Sequence, residues 1–366
     1  MRDRNLRKNF FILTLAFVCV GIVMVYSSSV MYAHKYFHDS AYFLKRHLLY
    51  LLIGIIGGGL AMGFDYKRLQ KLSKPIIIAS FVLLVLVLIP HIGSEAGGAR
   101  RWFRFAGFGF QPSEFAKLCI ILYTADFIAR KSKLKSNFVL QFMPLFIVLG
   151  MTMLLIIVQP DLGTCILLAA VFCIMLFYGG LPLFYIFSMI GLSIPVLYFA
   201  IFSVPYRRMR IISFLNPWAD PQGSGFQLIQ SQIALGSGGI FGVGLGQSRQ
   251  KMFYLPAAHT DFIFSIIGEE TGLVGNILFI ILFILFILLA RKIILSCRDY
   301  FGRLFALGLI SMLALKAVIN IAVCSGVMPT KGLPLPFISY GGTSLVVDLI
   351  AVGLILNISL RSAEQN

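Results

Sequence analysis

The sequence predicts an all-α polytopic membrane protein of about ten transmembrane helices, with a large extracytoplasmic loop between helices 7 and 8. Three observations predict it. The first is composition: 59% hydrophobic residues, 12% charged and a mean hydropathy of +0.91, whereas soluble domains carry about one quarter charged residues. The second is a recurrence of apolar runs, near 10–32, 46–64, 74–90, 113–129, 139–158, 162–178, 182–203, 263–290, 303–326 and 341–360, most of them approaching or exceeding the ~20 residues that cross a bilayer. The third is the placing of basic quartets in alternate connections: Arg2, Arg4, Arg7, Lys8; Lys67, Arg68, Lys71, Lys74; Arg130, Lys131, Lys133, Lys135; and Arg291, Lys292, Arg298, Arg303. Short connections rich in Lys and Arg stay cytoplasmic, so both termini are expected inside. The chain, 1–366, reads as a single integral membrane domain, and 204–262 as the extracytoplasmic loop that carries the catalytic region.

The amino terminus, MRDRNLRKNF, has the charge of a signal n-region, but the apolar run from Phe10 to about Tyr32 spans a bilayer and is expected to remain as the first helix. The net charge of +17 is spread over short connections that set topology and meet anionic headgroups, so nucleic acid is not an expected partner. Six cysteines show no disulfide or metal-ligand spacing, and no metal-ligating residues are predicted.

In the first outer loop, rich in glycine and aromatics, Ser113 is expected to cap the next helix and Glu114 to suit its positive end. Lys117 lies three residues on, so a Glu114–Lys117 pair competes with a substrate-binding role for both. Asp126 and Arg130 are spaced for an ion pair. Asp161, in Gln159-Pro160-Asp161, reads as the cap of an interhelical turn. Ser132 to Lys135 matches Ser-x-x-Lys by chance, without companion motifs.

Within 204–262, Phe226, Ile229 and Ile233 share one helical face and Gln227, Gln230 and Ser231 the other, the pattern of an interfacial or re-entrant helix. The following GSGGIFGVGLGQ lacks a preceding strand and Gly-Lys-Ser/Thr, so it is no nucleotide loop. It reads as close backbone packing around a cavity. Lys316 and Asp348 interrupt late apolar spans at similar depth and are expected to pair inside the membrane, the alternative being that each faces a polar cavity.

The stretch 254–275, YLPAAHTDFIFSIIGEETGLVG, organises the functional reading. It sets Asp261, Glu269 and Glu270, three of only 14 acidic residues, at the mouth of a long apolar helix, where desolvation is costly. Asp261 is the candidate general base. The Pro-rich PTKGLPLPFISYGGTS at 329–344 demands non-helical backbone opening into a span, tolerated at membrane depth only against protein or a water-filled cavity. Outer basic residues gather at Arg100, Arg101, Arg104 and at Arg207, Arg208, Arg210, Arg249, Lys251. They read either as headgroup anchors or as a site for a phosphorylated lipid, since guanidinium groups bind phosphate bidentately.

Five segments together resemble the SEDS family (shape, elongation, division and sporulation): GARRW at 98–102, QPSEFAK at 111–117, QPDLGT at 159–164, AAHTDFIFSIIGEE at 257–270 and the 329–344 loop. The likeness runs over nearly the whole chain. Thr330-Lys331-Gly332 and the HTDF stretch are more similar to the division branch than to the elongation branch, with a sporulation paralogue left open. The resemblance implies polymerisation of lipid II, a disaccharide pentapeptide on undecaprenyl pyrophosphate, at the outer face of the bacterial cytoplasmic membrane and at the division septum. It implies Asp261 as the essential loop aspartate. The substrate-binding candidates are Arg101, Trp102, Glu114, Lys117, Arg207, Arg210, His259, Glu269, Glu270, Lys331 and Ser339. Ala257 stands where relatives often have Glu. The implied partners are a class B penicillin-binding protein transpeptidase and other division membrane proteins, and a divalent cation, Mg or Mn, is the only cofactor left open. The alternative reading is a lipid II flippase, and a third is a scaffold for division proteins.

Overall fold

The computed structural model describes residues 2–96, 98–105, 108–131 and 138–364, so Ser132 and Lys135 lie outside the described residues. Each of the ten apolar runs falls on a helix: α1 (Arg2–Phe37), α2 (Tyr42–Gly63), α4 (Ser73–Leu86), α5 (Pro112–Lys131), α6 (Phe138–Val158), α7 (Leu162–Tyr178), α8 (Leu183–Phe202), α11 (Ile263–Ser296), α12 (Tyr300–Cys324) and α13 (Thr343–Glu364). The short helices α3 (Tyr66–Lys71), α9 (Pro205–Leu215) and α10 (Phe226–Ser237) complete the set among the described residues. Six of these, α1, α2, α8, α11, α12 and α13, are long and apolar enough to cross a membrane by length and composition. α4 and α7 are apolar but shorter, as is the Phe142–Val158 part of α6, and α5 carries charge along its length.

The helices run alternately between two ends of the bundle. At one end, called here the cavity end, lie Phe37, Tyr42, the start of α5 and the loops before α11 and α13. The first loop there is not irregular, as its glycines suggest, but forms a small antiparallel sheet, β1 (Ser94–Ala96), β2 (Ala99–Phe105) and β3 (Phe108–Phe110), in the order β1-β2-β3. Alternation of Phe103, Phe105, Phe108 and Phe110 with small or polar residues supplies the period-2 pattern.

Helix α2 lies along α13 at backbone contact distance, because Gly54 and Gly58 present no side chain. A Cβ on Gly58 would stand 2.8 Å from the Leu349 carbonyl, and one on Gly353 would collide with the Gly58 carbonyl. Small residues on both helices are how spans approach closely where lipid supplies no hydrophobic drive.

Helix α11 breaks at Gly272, whose φ of 69° and ψ of −167° lie outside the helical range. The freed backbone groups are met by the glycine-rich segment: Val243 and Gly244 N–H donate to the Glu269 and Glu270 carbonyls, and Leu273 and Val274 N–H donate to Gly239 and Ile240. At Gly242 and Gly272 the two backbones meet with no room for a Cβ. The expected close packing of GSGGIFGVGLGQ is therefore present, but around this helix break rather than around the cavity described below. Helix α10 also differs from its expected facing: Ile233 is 41% exposed and Ser231 is fully buried. Ser231 bonds Ser265 at 2.6 Å and donates to the Cys324 carbonyl at 2.7 Å, so Ser231 joins Leu228, Ile229 and Ala234 on the packed face while Ile233 lies outside it.

Candidate active site

A cavity of about 800 Å³ opens at the cavity end, within the range of sites for small ligands. Residues from several segments line it: Phe37, Tyr42, Phe43, Arg46 and Tyr50 around α1 and α2; Arg101, Trp102 and Arg104 from β2 and Gly109 from β3; Gln111 and Glu114 at the start of α5; Asp161 and Thr164 at the start of α7; Thr260 and Asp261 before α11; and Gly332, Pro334, Tyr340, Gly341, Gly342 and Ser344 before α13. Asp261, Glu114, Arg101 and Trp102 are thus brought together as the sequence reading expects.

Asp261 lies in the loop before α11 and is partly open to the cavity. Among the described residues no donor reaches its carboxylate, while its main-chain carbonyl accepts from Asn320 Nδ2 at 2.9 Å. Gly332 forms the opposing wall, where a Cβ would stand 3.1 Å from Asp261 Oδ2. Burial pushes the Asp261 carboxyl up to about 6, with the nearby Asp161 charge adding to the rise and Arg210 and Arg101 opposing it. A carboxyl raised towards neutrality, unpartnered and facing a cavity has the properties of a general base.

Asp161 caps α7 as expected, accepting from Thr164 N at 3.1 Å and Thr164 Oγ1 at 2.9 Å, and it also faces the cavity. The capping prediction for α5 shifts by two residues, because the helix begins at Pro112 and Gln111, not Ser113, precedes it. Proline fits this first position since its missing N–H would have no helical partner. Glu114 pairs with Lys117 at 2.5 Å, and Lys117 is fully buried beneath it instead of lining the cavity. The expected Lys316–Asp348 pair forms at 2.6 Å. Lys316 stands 3.9 Å from the second Glu114 oxygen and donates to Ser344 at 2.6 Å, so the two pairs merge into one network below the cavity floor.

Other candidates are engaged elsewhere. Arg207 donates to the Ala200 and Ile157 carbonyls, and Arg210 to the Thr330 carbonyl and the Tyr206 hydroxyl. Neither lines the cavity, although Arg210 acts on the Asp261 charge. His259 packs among Tyr32, Phe43 and Tyr340, and burial lowers its pKa to about 4, so it is neutral at pH 7. Ser339 bonds Leu335 N and the Thr260 carbonyl, shaping the loop from behind. Lys331 sits beside Gly163, its pKa lowered by burial. Glu269 and Glu270, expected near the mouth, are buried against 248–251: Glu269 accepts from Ser248 Oγ and the Arg249 and Gln250 amides, and Glu270 pairs with Lys251 at 2.9 Å.

The sequence reading missed Arg46, Tyr50, Gln111, Thr164 and Tyr340. Arg46 stacks over Tyr42 at 4.6 Å, and its charge acts on the nearby Tyr340 hydroxyl. Its signal was present as Lys45-Arg46 at the start of an apolar run, but single basic residues there look like ordinary interface anchors. Arg101 spends two donors on the Gln159 and Pro160 carbonyls, each at 2.6 Å, and so braces the turn that holds Asp161. As to a divalent cation, Glu114 is held by Lys117 and Asp161 by Thr164, and among the described residues no three His, Cys, Asp or Glu side chains gather to ligate one. The donor set does not fit a resident metal.

Comparison with known proteins follows the same lines. A family model described as cell cycle protein, FTSW_RODA_SPOVE, matches residues 7–364. The chain is 46% identical over 350 residues to a probable peptidoglycan glycosyltransferase FtsW of Geobacter metallireducens, covering 96% of this chain and 93% of that one. It is 45% identical over 353 residues to the stage V sporulation protein E of Bacillus subtilis, covering 96% of each. A solved structure described as a peptidoglycan synthase complex that coordinates polymerization and crosslinking superposes with a TM-score of 0.79 at 29% identity, covering 97% of both chains. The match of the family model across nearly all the spans and loops that build the cavity shows that this chain belongs to the cell cycle protein family of FtsW, RodA and SpoVE.

Proposed function

We propose that this membrane protein is a peptidoglycan glycosyltransferase that joins the disaccharide units of lipid II into glycan strands, with the cavity as its active site and Asp261 as its general base. The observation that carries the reading is the free, partly buried Asp261 carboxylate sharing one cavity with Arg46, Arg101 and Arg104. Inversion from an α-linked donor to a β-1,4 bond by a single displacement needs a base on the attacking 4-hydroxyl and positive charge on the departing pyrophosphate. Asp261 takes the hydroxyl proton as the oxygen attacks the anomeric carbon and the bond to the pyrophosphate oxygen breaks. The arginines neutralise the leaving group. Arg101 does so while bracing the 159–161 turn, and Arg46 replaces Arg207 as a candidate for this role.

The described members of the basic quartets, among them Lys67, Arg68, Arg130, Arg291 and Arg303, lie at the opposite end of the bundle and support cytoplasmic termini and an outward-facing cavity. The similarity to FtsW supports work at the division septum, and the similarity to a chain of a peptidoglycan synthase complex supports association with a class B penicillin-binding protein transpeptidase. The 45% identity to a sporulation protein keeps that branch as the closest rival assignment of cellular role. Incubating the purified full-length protein with lipid II tests the activity: glycan product is expected. Movement of lipid II across vesicles without product would instead support a flippase, and neither result would leave a scaffold.

A further inference from the structure

We propose that Asn320 is a positioning residue for this reaction, its side-chain amide holding the backbone of Asp261 so that the carboxylate is aimed into the cavity. The proposal rests on the reading of Asp261 as the general base.

Asn320 lies near the cavity end of α12 and is 2% exposed. Its Nδ2 donates to the Asp261 carbonyl at 2.9 Å and to the Leu333 carbonyl at 2.8 Å. A carboxamide nitrogen has two hydrogens in one plane, and both are spent here. One side chain on a regular helix therefore ties together the two irregular segments that form opposite walls of the cavity. Leu333 follows Gly332, the residue that faces the Asp261 carboxylate. Base and facing wall are thus held by the same group.

The neighbouring carbonyls are held as well. Tyr340 N–H donates to the His259 carbonyl at 2.9 Å, and Ser339 Oγ donates to the Thr260 carbonyl at 2.6 Å. Three successive carbonyls, at 259, 260 and 261, are gripped while the carboxylate that follows from them has no partner among the described residues. The Tyr340 bond is main chain to main chain, and Ser339 also serves its own turn by accepting from Leu335 N. Asn320 alone among them stands on a helix and grips Asp261 itself. Cys324 Sγ, 3.5 Å from the same carbonyl, is a weak donor and cannot take over. A buried amide in an apolar helix is costly unless its hydrogens are bonded, so an aliphatic residue would suit α12 better if span stability were the sole requirement. Turnover depends on the base lying within hydrogen-bond reach of the hydroxyl, and misplacement by about 1 Å costs about a hundredfold.

The test measures lipid II polymerisation, its pH dependence and thermal stability of the full-length protein in detergent for Asn320→Ala, Asn320→Gln and Asp261→Asn. Asn320→Ala is expected to lower kcat by about ten- to a hundredfold with KM within about twofold. Its acid limb should move to lower pH, because a loosened Asp261 turns towards water. Asn320→Gln, which keeps both donors, should recover part of kcat and of the limb. If Asn320→Ala does not fold, Asn320→Asp keeps the volume, lacks the amide hydrogens and must show the same fall. The proposal is overturned by wild-type kcat in the donor-less variant, or by a fall that leaves the acid limb unmoved and follows lost thermal stability, which would make Asn320 purely structural. Asp261→Asn separates the two readings: wild-type turnover there removes the base assignment itself, whereas abolished turnover beside an unimpaired Asn320→Ala removes only the positioning role.

Discussion

Asp261 and the pair Glu269–Glu270 come from one short stretch of sequence, yet the fold treats them in opposite ways. Glu269 accepts from a hydroxyl and two main-chain amides, and Glu270 is neutralised by Lys251 and bonded by Ser27 at 2.7 Å. These two carboxylates hold the 248–251 turn and α1 against the broken helix α11. Asp261, eight residues earlier than Glu269, is held only through its backbone, and its carboxylate is left to the cavity. A buried charge with its partners supplied is architecture, whereas a desolvated charge without them is held at a cost that function explains.

The strongest way to break that contrast is Asp261→Asn, which keeps shape and hydrogen bonding but not basicity. Polymerisation is expected to fall by at least about a hundredfold while the protein still folds. In the unmodified enzyme turnover should rise with pH through about 6, where the Asp261 carboxyl loses its proton. Stability should move the other way. Burial favours the protonated form, so the folded protein holds this proton more tightly than the unfolded chain between about pH 4 and 6, and stability is lost as pH rises through that window. Asp261→Asn should therefore be at least as heat-stable as the parent above pH 6, measured by thermal melting in detergent.

Next in size is the buried ion-pair network below the cavity floor. Lys316→Met leaves Asp348 as an uncompensated buried charge and is expected to destabilise the protein by about 3–5 kcal/mol, with Lys316→Met plus Asp348→Leu recovering most of the loss. Additive losses in a double-mutant cycle would mean that the pair contributes nothing as a pair. Glu269→Ala strips acceptors from Ser248 and two amides, for a loss of about 1–3 kcal/mol. If turnover of the surviving folded fraction fell as far as in Asp261→Asn, the division between structural and chemical carboxylates would fail. The smallest effect belongs to Arg101→Lys, which keeps the charge but loses the fork that spans the Gln159 and Pro160 carbonyls. A partial loss of polymerisation is expected, with Arg101→Ala worse. Equal rates in all three proteins would return Arg101 to a headgroup anchor.

Much of the fold was legible because hydrocarbon allows few answers. Apolar runs of spanning length become helices, and Lys316 and Asp348, stranded in such runs, had to find each other or a polar cavity. Spacing within a single helix was legible too, giving Glu114–Lys117 and Asp126–Arg130, the latter also at 2.5 Å. The facing of α10 was misread because hydrophobicity alone ranks Ile233 above Ser231, while the close approach of α11 rewards the smaller residue.

By itself, then, the sequence determined the helical membrane class, the order of its spans and Asp261 as the residue to test, since each depends on local composition or short spacing. The tertiary structure alone decided which polar groups meet. It brought Arg46 and Tyr340 to the same cavity as Asp261, turned Arg207 and Glu269 towards local backbone partners, and gave Asn320 its two carbonyls. The physical reason is that a side chain's partner is set by which donors and acceptors the packed helices bring within about 3 Å, and those here come from segments far apart in the chain.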